Sequence, residues 1–97
     1  MQKYSIYAKD GTDEGALDRR LAARQSHFDG IQILKDQGNF VLGGALVDDA
    51  GKMIGSTIIL QFETPADLQK WLDHEPYNTQ GVWQSVEILR FGVPPPK

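Results

Sequence analysis

The sequence predicts an α+β fold in which one antiparallel sheet carries its helices on one face. Three observations predict it. Hydrophobic spacing alternates between about two and about 3.6 residues in the order strand, helix, strand, strand, helix, strand. A short polar turn joins the two middle strands, whereas each outer pair is bridged by a helix. The chain has 97 residues, enough for one core but not two. The βαββαβ order is that of a ferredoxin-like split βαβ. Residues 1–97 are read as a single domain, with 94–97 as an extended Pro-rich tail.

Tyr4 to Ala8 alternates β-favouring residues and runs into Asp10-Gly11, a turn signal. Thr12 or Asp13 is placed to cap the helix that follows. From Ala16 to Gln37 the spacing is helical, with Leu17, Leu21, Phe28, Ile31 and Leu34 as the apolar stripe. A break near Arg24 or Gln25 would make this run two helices. Gly38 supplies a C-terminal stop. Phe40 to Val47 and Met53 to Phe62 are the middle strands, joined through Asp48-Asp49-Ala50-Gly51. Thr64 at the N-cap and Pro65 at the first helical position open the second helix. Leu68, Trp71 and Leu72 face it inward, and Pro76 ends it. After Asn78-Thr79-Gln80-Gly81 the last strand runs from Val82 to Phe91. The face of the sheet away from the helices is expected to carry Tyr7, Ile59 and Val86. A bare apolar face of that kind calls for a cover, which a second copy of the sheet would provide.

Composition narrows the function. The formal charge is −3, and the ten Lys and Arg are scattered apart from Arg19, Arg20 and Arg24. Nucleic-acid binding needs clustered basic residues, so no nucleic acid is expected, and no acidic membrane surface either. No stretch approaches the roughly 20 apolar residues of a membrane span, and the N-terminal apolar run is too short for a signal peptide. The absence of cysteine removes disulfides, thiolate nucleophiles and Cys-ligated zinc. These features suit a cytoplasmic protein.

The stretch RQSHFDG, residues 24–30, raises the chemical question. On a helix, Ile31 lies about 40° and Leu34 about 20° from His27, with Arg20 within about 20° and Arg24 about 60° away. An imidazole therefore sits near the middle of an inward stripe, with two guanidinium groups one and two turns before it. One reading is a structural histidine bonded to a carbonyl. The other is a general acid or base beside a cationic anchor.

Asp73, His74 and Glu75 crowd the end of the second helix in LDHEPY, residues 72–77. Carboxylates there oppose the helix dipole, so stability alone would favour Lys or Arg. They are either a solvated polar end or a source of one carboxylate, Asp73 or Glu75, turned toward His27. Metal binding has little support: His74 has no ligand partner at helical spacing, and no HExxH pattern exists. Gly43-Gly44 and Gly55-Ser56 lie outside any strand–GxGxxG–helix context, so nucleotide binding is unsupported. No cofactor is expected.

An ordered set of short motifs covers nearly the whole chain: YAKD at 7–10, R-x-x-x-R-x-x-H at 20–27, Gly38, GG at 43–44, GST at 55–57, EPY at 75–77 and Gly81-Val82. In this order the sequence resembles the YciI-like (YCII-related) family. The resemblance implies a ferredoxin-like subunit whose sheets pair face to face as a dimeric α/β barrel. It implies an active site where the helix histidine, His27, meets the acid before Pro-Tyr, Glu75. The family usually has Asp at that position and Pro where this chain has Ala45. Family chemistry includes dehydrochlorination of a chlorinated hydroxyquinol, and muconolactone isomerase shares the architecture.

The expected function is therefore a cofactor-free lyase or isomerase acting on a small oxygenated ring compound. His27 would be the acid or base and Glu75 its orienting partner. Arg20 or Arg24 would hold an anionic oxygen, with Gly44, Ser56 and Tyr77 lining the pocket. The alternative is a non-catalytic dimeric module that binds a small molecule. A third, purely structural possibility is that His27 and Glu75 only pin the two helices together.

Overall fold

The computed structural model describes residues 1–95; Pro96 and Lys97 of the expected tail lie outside the described residues. The elements run β1 (Gln2–Asp10), α1 (Ala16–Asp36), β2 (Phe40–Val47), β3 (Met53–Phe62), α2 (Pro65–His74), α3 (Pro76–Thr79) and β4 (Trp83–Arg90). The four strands form one antiparallel sheet in the order β2-β3-β1-β4. That order is ferredoxin-like, as expected.

α1 is continuous across Arg24 and Gln25. It ends as the sequence requires: Gly38 takes a positive φ of 77°, Asn39 N–H donates to the Leu34 carbonyl, and Gly38 N–H donates to the Lys35 carbonyl. This is a Schellman cap, and glycine fits it because a left-handed residue closes the last turn. Its start departs from expectation. Gly15, not Thr12 or Asp13, is the N-cap, without a side-chain bond. The Asp13 carboxylate is drawn off by a two-pronged pair with Arg19, at 2.7 and 2.8 Å. The Arg19 guanidinium beside it holds the Asp13 carboxyl down at about 2.

The buried residues of α1 are Ala16, Arg20, Ala23, His27, Ile31 and Leu34. Leu21 and Phe28, expected inside, are about half exposed. The inward stripe does run through Arg20 and His27, as their helical spacing from Ile31 and Leu34 implies, and both find partners inside. α2 begins as predicted, with the Thr64 hydroxyl accepting from Asp67 N–H at 3.2 Å. Pro76 stops α2 but also starts the one-turn α3, where the sequence predicts no helix. α3 packs against α1, so the chemistry-bearing contact between helical elements is made there.

The core lies between the helices and one sheet face, around Ile6, Ile58, Leu60, Leu68, Leu72 and Val82. On the other face Tyr7, Leu42 and Leu89 are exposed, with Ile59 half covered. Val86 is not among them. It pairs with Ala8, points toward the helices and packs on the core. The cause is a bulge: Lys9 pairs with Ser85 but Asp10 pairs with Trp83, so Gln84 is an extra residue. Two residues then oppose one, which reverses the alternation and turns Trp83 inward. Among the described residues no helix is long and apolar enough to cross a membrane.

Candidate active site

A cavity of about 310 Å³ opens between α1 and the β2 side of the sheet. Small residues make the space: Gly43 and Ala45 lie on the helix-facing side of β2, opposite Ile58 and Ser56. A Cβ at Gly43 would come within 3.2 Å of Ile58 and 3.3 Å of Phe40. Gly44 faces the other way, where a Cβ would meet nothing, so only its backbone edges the cavity.

His27 forms part of the cavity wall. Its Nδ1 is bonded to Glu75 Oε1, and both side chains are buried. The same oxygen accepts from Tyr77 N–H at 3.1 Å. Glu75 is thus the last cap of α2 and the N-cap of α3, and its carboxylate sits at the start of that turn. An ionised carboxylate only accepts, so Nδ1 carries the hydrogen. Nε2, the other ring nitrogen, makes no protein hydrogen bond among the described residues. Asp73 and His74, the other candidates in LDHEPY, lie elsewhere: Asp73 accepts from Gln69, and His74 Nδ1 donates to the Lys70 carbonyl on the exposed side of α2.

Tyr77 stacks on His27 with ring centroids 3.9 Å apart and planes 11° from parallel. The Arg20 guanidinium lies 4.7 Å from the Tyr77 ring centroid. Arg20 and His27 are two turns apart on α1, about 10 Å along the axis, and the Tyr77 ring packs against both. Burial pushes the Tyr77 phenol up from its ordinary value, against a downward pull from Arg20 and Arg24. It stays protonated at neutral pH.

Arg20 is not a free anion hook. Its Nη1 donates to both Asp10 carboxylate oxygens at 3.0 Å, and its Nη2 donates to Ser56 Oγ at 2.9 Å. Its Nε is buried without a partner among the described residues. Arg24 is exposed at the rim, 5.1 Å from the Phe28 ring centroid, and Lys35 flanks the cavity further along. Arg20, Arg24 and Lys35 line the cavity, no Asp or Glu among the described residues does, and Asp10 balances the Arg20 charge from behind. Sequence reasoning missed Asp10 and Trp83. Asp10 reads as a turn residue beside Gly11, but its place at the end of an inward-alternating strand, after Tyr4, Ile6 and Ala8, is a usable signal for a buried carboxylate. Trp83, whose Nε1 donates to Ser56 Oγ at 3.2 Å, is turned in by a bulge that leaves no sequence mark.

The YCII-related domain matches residues 2–92. The chain belongs to the YCII-related family. It is 36% identical over 94 residues to Protein YciI of Escherichia coli O6:H1, covering 91% of this chain and 94% of that one. An uncharacterized protein from Haemophilus influenzae is 30% identical over the same shares. Among solved structures, the YCII fold here matches 5-chloro-2-hydroxyhydroquinone dehydrochlorinase, TftG, from Burkholderia phenoliruptrix AC1100 in complex with 2,5-dihydroxybenzoquinone. The TM-score is 0.80 at 22% identity, over 93% of each chain. A dimeric ferredoxin-like protein from Jannaschia matches with TM-score 0.55 at 14% identity, over 96% of this chain and 100% of that one.

Proposed function

We propose that this YCII-related protein is a cofactor-free lyase or isomerase that moves protons on a small, anionic, oxygenated ring compound, working as a homodimer. One observation carries the reading: Glu75 holds His27 by Nδ1, and His27 lines the cavity with its other ring nitrogen unbonded to protein among the described residues. A histidine oriented by a carboxylate, beside space for a small molecule, is equipped for general acid–base chemistry.

In the proposed step His27 Nε2 takes a proton from a carbon next to a carbonyl. The C–H electron pair forms a C=C bond, and the carbonyl oxygen becomes an enolate. Return of the proton to another carbon isomerises the compound. Loss of an anion from the adjoining carbon, with the same electron pair closing the double bond, eliminates it. The cationic lining supports an anionic ligand, with Arg24 and Lys35 at the rim free to approach it. The dehydrochlorinase activity named for TftG supports the reaction class, and its ligand suggests a hydroxyquinone or hydroxyquinol. The exposed Tyr7, Leu42 and Leu89 support a dimer closed through the sheet faces, and the ferredoxin-like neighbour from Jannaschia is named as dimeric.

The experiment is a turnover screen of hydroxyquinols, halogenated hydroxyquinols and small keto acids, read by halide release and by double-bond absorbance. His27→Gln should lower the rate on any accepted compound by about 10²–10⁴-fold. Undiminished turnover by this variant would remove His27 from the chemistry. Tight binding of panel compounds with no turnover of any would favour the binding-module alternative.

A further inference from the structure

We infer that Ser56 presents a hydrogen-bond donor, and no acceptor, to the cavity, so the bound compound places an acceptor oxygen (carbonyl, enolate or phenolate) against it. The substrate class in this statement rests on the proton-transfer reading above; the polarity of Ser56 does not.

Ser56 is buried on the helix-facing side of β3 and lines the cavity. Its sheet neighbours are Ala8 on β1 and Ala45 on β2, both small, so no bulky side chain covers the hydroxyl from either strand. A hydroxyl has one hydrogen and two lone pairs. Arg20 Nη2 donates to Oγ at 2.9 Å and Trp83 Nε1 donates to it at 3.2 Å. A guanidinium and an indole N–H can only donate. Both lone pairs are therefore engaged, and the hydrogen is what remains. No side chain or carbonyl among the described residues takes it.

Both donors are held in place. Asp10 anchors Arg20 through two 3.0 Å contacts, and the bulge at Gln84 fixes Trp83 as an inward residue. The Trp83 ring stands 6.3 Å from the His27 ring, edge to face, so Ser56 and His27 belong to one wall. A cationic donor on Oγ polarises the O–H outward, because hydrogen bonds in a chain strengthen one another and charge-assisted ones most. When His27 removes a proton, negative charge grows on the neighbouring oxygen of the compound. A fixed donor aimed at that oxygen stabilises the charge without reorganising. Asp10, Arg20, Trp83 and Ser56 then form one relay whose purpose is the direction of a single hydrogen.

The test uses the full-length protein and 2,5-dihydroxybenzoquinone labelled with ¹³C at its carbonyl carbons. Binding is followed by absorbance titration, and the bound carbonyl stretch by infrared difference spectroscopy. The expected result is a downshifted stretch in the wild type that is lost in Ser56→Ala, with affinity falling about tenfold or more. Trp83→Phe, which frees one lone pair and leaves the hydroxyl in place, should retain binding with a smaller downshift; it carries the test if Ser56→Ala does not fold. No binding of the probe by the wild type, an unshifted stretch, or a downshift equal in wild type and both variants overturns the assignment. The readout is vibrational and needs no turnover. If His27→Gln keeps the Ser56-dependent downshift while turnover is unaffected by His27, the acid–base reading fails and Ser56 stands.

Discussion

The Tyr77 ring lies flat on the His27 imidazole, 3.9 Å between centroids and 11° from parallel. The same residue's backbone N–H is bonded to the carboxylate that holds His27. One residue of α3 thus fixes both the plane of the histidine and the position of its partner. Tyr77→Leu removes the plane and leaves the cap. It should lower turnover through a mobile imidazole and cost about 2–4 kcal/mol in denaturant unfolding, since a buried aromatic is lost. Tyr77→Phe keeps the stack and should stay within about 1 kcal/mol of wild type.

Tyr77 also sets an alkaline limit. Burial, the largest cause, raises its pKa above the ordinary 10.0. The folded state then binds more protons than the unfolded state at high pH, so stability falls as pH rises. The contribution is complete below pH 10.0 and is lost as pH climbs from there through the raised folded value. Thermal melts above that point should fall less steeply in Tyr77→Phe than in wild type. Equal slopes would count against the burial argument.

Asp10 and Arg20 form a buried ion pair beneath the cavity, with side chains 2% and 4% exposed. Removing one partner strands the other charge. Asp10→Ala should destabilise the fold by about 3–5 kcal/mol in urea unfolding. Adding Arg20→Met to it should recover part of that loss, so the double variant should be more stable than the sum of the singles. Arg20→Lys should not rescue, because one ammonium replaces a planar fork that reaches Asp10 and Ser56 together.

Glu75→Gln separates charge from shape. The amide oxygen can still accept from Tyr77 N–H, so the start of α3 survives. The anion behind His27 is lost, and turnover should fall, by up to about 10⁴-fold on the precedent of oriented catalytic histidines. Glu75→Ala removes the acceptor altogether and leaves two buried donors unpaired, each costing about 1–3 kcal/mol. Glu75→Gln should therefore melt closer to wild type than Glu75→Ala does.

The open sheet face gives a test of assembly. Leu42 is 68% and Leu89 57% exposed in the single chain. Leu89→Arg should shift the protein from dimer to monomer in sedimentation velocity, and should not change its helical circular dichroism as a monomer. A sedimentation profile identical to wild type would place the interface elsewhere.

The helix histidine and its acid were legible because each broke a local rule: an imidazole on an apolar stripe, and carboxylates where a helix dipole disfavours them. Sequence left the choice between Asp73 and Glu75 open. The fold decides it, since Pro76 starts a new turn that swings Glu75 toward α1. α3 is one turn long, too short to show periodicity. Leu21 and Phe28 stand about half exposed, although hydrophobicity and helical spacing alone put them on the same stripe as Arg20 and His27. The fold buries the latter two by giving them Asp10, Ser56 and Glu75. Val86 was assigned to the wrong face because one extra residue, Gln84, reverses the alternation of β4. Pairing partners distant in sequence decide all of these outcomes.

Proton transfer by His27 leaves a direct isotopic trace. Deuterium uptake from D₂O into 2,5-dihydroxybenzoquinone and a set of small enolisable keto acids, followed by proton NMR, tests it most directly. The wild type should accelerate exchange at the carbon beside a carbonyl in at least one compound, and His27→Gln should lose about 10²–10⁴-fold of that rate. Exchange at the same rate in both proteins, with the compound bound in both, would contradict it.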